Sequence, residues 1–233
     1  MRRDVASASL TQGAYDQLRA DILSCRLRPG ERIKINDLCA QLAVSLGAVR
    51  EALSRLTAEG LVVAEPNRGF YVTPISEAEL LDLTAARIEI EALCLRRALA
   101  AGDVAWEAGV LSSFHQLSRT PPLLDGNGRR LSADWNRLHR GFHDALLGAC
   151  DSPWLMRLRA MLFAQSERYH RLSVPIALAE RDVDGEHRAI MEAVIARDAE
   201  QAVTLLTSHM TRTMRLLLDA DVVARSIEAT AAG

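Results

Sequence analysis

Four breaks fall within the first seventy residues, and their spacing leaves room for one layout. They are Arg28-Pro29-Gly30, Ala43-Val44-Ser45, Gly60 and Pro66-Asn67-Arg68-Gly69. Proline lacks an amide donor and glycine accepts backbone angles that other residues resist, so such runs end helices or turn the chain. Before the first break, Thr11 is the expected N-cap of a helix through about Cys25, with Tyr15, Leu18, Ile22 and Leu23 on one face. A short helix over 36–42 follows, with Leu38 and Leu42 inward. Ser45 then caps a third helix that runs to about Glu59. Its buried stripe is Val49, Ala52, Leu53 and Leu56, which turns Arg50, Glu51 and Arg55 outward. Strands over 61–65 and 70–73 close the segment, joined by the Pro66–Gly69 tip.

Three short helices and a hairpin in this length make a winged helix-turn-helix, assigned to residues 1–75. Pro74-Ile75 is the linker. Ser76 and Glu79 form a capping box that opens a long helix to about residue 101. Helical periodicity continues over 103–119, 132–149, 153–172, 184–196 and 199–219, with the main breaks at 121–128 and 173–177. Apolar residues make up 49 % of the chain but aromatics only 4 %, which favours packed amphipathic helices over sheet. The fold expected is therefore mainly α, with an antiparallel all-helical bundle over 76–233 behind the winged domain.

Several classes are excluded on the same grounds. No apolar run approaches the ~18 residues of a membrane span, and no signal-peptide core follows the N-terminus. The four cysteines are scattered without a CxxC, which fits reduced thiols of a cytoplasmic protein better than a disulfide framework or a zinc ribbon. Net charge is −2, divided as +2 over residues 1–75 and −4 over the remainder. Indiscriminate binding to nucleic acid is not expected from that balance.

Leu27-Arg28-Pro29-Gly30-Glu31-Arg32, Val44-Ser45, Val49-Arg50-Glu51-Ala52-Leu53, Glu59-Gly60-Leu61-Val62 and Asn67-Arg68-Gly69-Phe70 resemble, in order and spacing, the DNA-binding half of GntR-type transcription regulators. The second half resembles the all-helical FCD effector domain of the FadR-like branch. The segment from Phe142-His143 through Trp154 to Ser166-Glu167-Arg168-Tyr169 resembles a subgroup of repressors that respond to glutarate-type dicarboxylates. The resemblance implies a homodimer on an inverted-repeat operator in double-stranded DNA, with the third helix in the major groove. In that placement the amides of Gly47 and Ala48, unpaired in the first turn, suit a phosphate oxygen, and Ser45 adds a hydroxyl. Arg50 reaches guanine O6 and N7, while Arg68 and Gly69 follow the minor groove. One departure stands out: many relatives carry arginine directly after the Val-Ser pair, where this chain has Leu46.

The resemblance also speaks to the histidines. His139 and His143 are four apart and share a helix face, while His187 and His209 lie on later helices. In FCD domains the matching positions carry an aspartate and three histidines that converge on a divalent metal. His143, His187 and His209 fall on the histidine positions and His139 on the aspartate. Four imidazoles shift preference toward zinc, nickel or copper, with zinc the metal expected and nickel next, and leave the centre nearer +2, in more need of an anionic ligand. The bland reading is neutral core histidines, and His139 either ligates or stands back and fills space. His115 and His170 match nothing and are read as surface. Arg87 is the expected contact for a small carboxylate effector, against a reading in which it pairs with Glu91, four residues on. Gln165 and Tyr169 share the inward face defined by Leu158, Met161 and Leu162 and are further pocket candidates.

The function expected is a regulator rather than an enzyme, a repressor whose operator affinity answers to a carboxylate bound beside a metal. The alternative is a regulator for which the ion itself is the signal. An enzyme would use the histidines to make a metal hydroxide, but no carboxylate is placed as a general base and the DNA-binding half would go unexplained.

Overall fold

The computed structural model describes residues 2–123 and 132–219, without the side chains of residues 2–9 and 170–180. The chain forms two compact units that divide between Glu79 and Leu80.

The first unit contains α1 (Arg2–Leu23), β1 (Arg32–Ile33), α2 (Ile35–Leu42), α3 (Leu46–Ala58), β2 (Val62–Glu65) and β3 (Gly69–Val72). Leu18, Ile22, Val49, Leu53, Leu56 and Leu61 are buried together in its core, which is the stripe that the periodicity marks out. Ser45 caps α3 by accepting a hydrogen bond from the Ala48 amide at 3.2 Å. Two expectations are corrected. Thr11 does not begin a helix: α1 starts at Arg2, and Thr11 is buried inside it. The hairpin is also one part of a three-stranded antiparallel sheet, ordered β1-β3-β2, in which Arg32 pairs with Tyr71 and Ile33 with Phe70. A two-residue strand has no alternation to read, so only its partner reveals it. At the wing tip Asn67 and Gly69 both take positive φ, 62° and 104°, which favours glycine at the second.

The second unit is helical: α4 (Glu77–Ala101), α5 (Val104–Ser118), α6 (Ala133–Leu146), α7 (Pro153–Glu180), α8 (Val183–Ile195) and α9 (Ala199–Asp219). Short polar side chains start most of them. Ser76 Oγ accepts from the Glu79 amide, and Asp103, Ser132, Ser152 and Asp182 cap α5 to α8. Leu95, Val110, Leu117, Phe142, Leu146, Ile190, Val194 and Ala202 form the core. The break expected at 173–177 is absent, since α7 continues through Pro175 to Glu180. One proline removes one amide donor, and flanking turns can carry a helix past it. Most of the 121–128 break lies outside the described residues. Cys94 is buried, and its thiol is pushed up to about 12 by burial and by neighbouring Cys150. No helix among the described residues is long and apolar enough to cross a membrane.

Candidate functional site

His139 and His143 project from one face of α6, His187 from the second turn of α8 and His209 from the middle of α9, and all four are buried. One ring nitrogen from each lies within 4.8 Å of the others. The Nε2 atoms of His139 and His143 are 3.2 Å apart. Two ligands on a tetrahedral ion with bonds of about 2.0–2.1 Å stand about 3.4 Å apart, so this edge already has the spacing a small divalent ion needs. The His139 ring stacks on Trp135 at 4.8 Å and 17°. Phe142 holds the edges of His143 and His187, at 5.5 and 5.2 Å.

Two of the four rings, His143 and His209, are biased toward the neutral form that a metal requires. Burial first, then the cost of adding a second positive charge beside His209 or His187, pushes His143 well below its ordinary value. His209 is also lowered by burial, against a hydrogen bond to Glu186 that acts the other way. Glu186 Oε2 stands 2.8 Å from His209 Nδ1. A proton on Nδ1 leaves Nε2 as the lone-pair nitrogen, the arrangement in which a carboxylate orients and strengthens a ligating imidazole. Burial would raise the Glu186 carboxyl, but bonds from His209, Arg181 and Arg212 outweigh it and hold the group well below the usual range. Residue-by-residue reading missed Glu186, although it sits directly beside His187.

His139, His143 and His209 line a cavity of about 70 Å³, with Arg87, Asn136, Arg140, Phe163, Glu167 and Tyr169 among its other walls. The Arg87 guanidinium donates from Nε and Nη2 to Glu91 Oε1 at 3.0 and 2.6 Å. The pairing weighed against a ligand role is thus present, yet Arg87 still faces the cavity. Phe163 gathers three cations around its ring: the guanidinium carbons of Arg87, Arg140 and Arg159 lie 5.2, 5.2 and 4.7 Å from its centroid. Arg140 is near Glu167 at 3.5 Å and Asp144 at 3.8 Å. Arg159, only 5 % exposed, bonds Asp144 through Nη1, while among the described residues its Nε and Nη2 find no acceptor. Those two nitrogens form the parallel edge that a carboxylate grips with both oxygens.

The face expected of α7 is corrected. Leu158 and Met161 are 40 % and 53 % exposed, while Arg159, Phe163, Ala164, Glu167 and Arg168 turn inward. The hydropathy pattern points the wrong way because this helix buries three charged residues. Tyr169 does reach the cavity wall. Gln165 does not, and instead accepts a hydrogen bond from Arg168 Nη2 at 3.1 Å. Arg140 and Arg159 were both missed. Their only signal is spacing, since Arg140 follows Asn136 by one turn, and Arg159, Phe163 and Glu167 repeat every four residues. His115 is exposed, and the His170 side chain lies outside the described residues.

In the first unit, Leu46, Gly47, Arg50, Glu51 and Ser54 form the exposed face of α3. No ion pair joins Arg50 to Glu51 or Asp37 among the described residues. Arg55 is not fully outward, because its guanidinium stacks on Tyr15 at 3.8 Å. The Ala48 amide is also not free as expected, since it satisfies the Ser45 cap, and the Gly47 amide is the remaining first-turn donor of the pair. Arg68 at the wing tip is exposed and pairs with Glu65 at 2.8 Å.

Comparison with known proteins places both units. Residues 10–72 match the model of bacterial regulatory proteins of the gntR family, and residues 82–212 match the FCD domain. The chain is 43 % identical over 206 residues to the HTH-type transcriptional regulator BphR of Paraburkholderia xenovorans, covering 87 % of this chain and 82 % of that one. It is 34 % identical over 201 residues to the HTH-type transcriptional repressor GlaR of Escherichia coli, covering 84 % and 90 %. Among solved structures, E. coli McbR/YncC has the same fold, with a TM-score of 0.73 at 20 % identity over 91 % of this chain and 98 % of that one. A putative GntR regulator from Rhodococcus gives 0.71 at 23 % identity, over 91 % and 99 %.

Proposed function

Because the chain belongs to the GntR family of bacterial transcriptional regulators and carries an FCD effector domain, we propose that it is a ligand-relieved repressor whose signal is a small carboxylate bound beside a divalent metal. Residues 1–75 bind an inverted-repeat operator as part of a homodimer, and residues 76–233 receive the effector. Two linked winged domains supply the affinity that one lacks. A relative that is itself a repressor supports the sign.

The observation that carries this reading is the joint wall of one cavity, with three buried imidazoles on one side and the Arg87, Arg140 and Phe163 cluster on another. His139, His143, His187 and His209 would hold the ion, zinc or nickel by donor type, with four imidazoles suiting the tetrahedral preference of zinc. The ion would supply positive charge and coordination places open to a carboxylate oxygen. Glu186 fixes the tautomer of His209. Arg87 contacts the carboxylate, with Tyr169 beside it. Gln165 stands behind the wall, bonded to Arg168. On the DNA side Arg50 reads a guanine edge, Ser45 and Gly47 meet a phosphate, Ala48 supports the cap, and Arg68 and Gly69 enter the minor groove.

The test compares operator affinity and metal content across variants. Arg50→Ala is expected to abolish operator binding while copurified metal stays at one ion per chain. His143→Ala should lose the metal and the response to carboxylates but still bind DNA. Metal titration of chelated protein, with and without dicarboxylates, separates this reading from a metal sensor. Full release of operator by the ion alone would favour the sensor.

A further inference from the structure

Leu46 is the first residue of α3 and is 50 % exposed. A single exposed leucine is ordinary on a protein surface, but the position of this one is not neutral. It lies four residues before Arg50, the one exposed arginine of the helix, so the two side chains stack along the same outward face. Gly47 beside it adds no side chain, and a Cβ built there would meet only Ser45 Oγ, at 3.8 Å. Leucine is therefore the outermost group on the first turn, one turn of about 6 Å from the arginine. In duplex DNA that distance is roughly two base pairs.

We propose that Leu46 determines specificity by packing against the C5-methyl group of a thymine about two base pairs from the guanine that Arg50 reads. This role for Leu46 rests on α3 being the DNA-binding helix. The only apolar group that base edges offer in the major groove is the thymine methyl. Leucine has neither donor nor acceptor, so over any other base it would strip water from a polar edge and return nothing. The same side chain thus rewards thymine and disfavours guanine, adenine and cytosine. A regulator with arginine at this place would read a polar edge there, so its operator would differ at this step.

The experiment uses the full chain and an operator obtained by selection from random duplexes. Each thymine of a half-site is then replaced singly by deoxyuridine, which removes the methyl and nothing else. One position per half-site should weaken binding by about fourfold, the worth of one methyl group taken from water, and by roughly fifteenfold with both half-sites changed. Leu46→Ala should bind the thymine and uracil operators equally, and Leu46→Met should keep the preference. Equal melting of the three proteins checks that each folds. A selected motif with no uracil-sensitive thymine overturns the assignment and leaves DNA binding intact, as does a preference that survives in Leu46→Ala. A selection that yields no motif at all overturns the DNA-reading helix and this inference with it.

Discussion

A guanidinium buried as deeply as Arg159 has given up most of its hydration, and Asp144 compensates only one of its nitrogens. An Nε/Nη2 edge that no protein acceptor meets among the described residues costs free energy, since unpaired buried donors are expensive and more so when charged. Replacing a poorly compensated buried ion with an apolar side chain of similar length is often neutral or stabilising. Asp144 is half exposed and can be solvated once its partner goes. Arg159→Met is therefore expected to keep the thermal midpoint within about 3 °C of the parent, or to raise it. If the edge takes a ligand carboxylate, the same change should weaken carboxylate binding by about tenfold or more, the scale of a hydrogen bond to a charged group. Calorimetry on both proteins reads the two effects separately. A large loss of stability with unchanged affinity would make Arg159 a packing residue.

At the scale of elements, α3 owes its start to Ser45, whose hydroxyl takes the Ala48 amide. Ser45→Ala should cost about 1 kcal/mol of stability in denaturant unfolding, the usual worth of such a cap. No cost at all would mean that packing alone fixes the start of the helix. This element was legible from residues because cap, apolar stripe and terminating Gly60 agree with one another. The four histidines could be found because the resemblance fixed their positions, and the geometry then brought them together. α7 was legible in its start, Ser152-Pro153, and misread in its facing. Hydropathy assumes that charged residues face water, and here Arg159, Glu167 and Arg168 are inside. The sheet was underestimated for another reason, since β1 exists only as a partner of β3. Local patterns fail where a site places charge in the interior and where an element is defined across the fold.

For the whole molecule, the proposed function requires that a ligand in one unit be felt as operator affinity in the other. Linkage requires no particular path, only that the carboxylate prefer the state that holds DNA poorly, and a ligand with equal affinity for both states shifts nothing. The coupling is then reciprocal. If saturating carboxylate weakens operator binding tenfold, saturating operator must weaken carboxylate binding tenfold, within a usual range of about five- to 150-fold. Calorimetric titration of the metal-loaded dimer, with and without operator DNA, is expected to show that difference, and Arg87→Ala should lower carboxylate affinity in both arms. Leu46 and Arg50 variants should change operator affinity while leaving carboxylate affinity in the DNA-free arm as it is, because they lie in the other unit. Equal carboxylate affinity in the two arms would mean that the organic ligand does not distinguish the states. The regulatory signal would then have to be the ion at the histidines, and Arg87 and Arg159 would serve only to fill and balance the bundle.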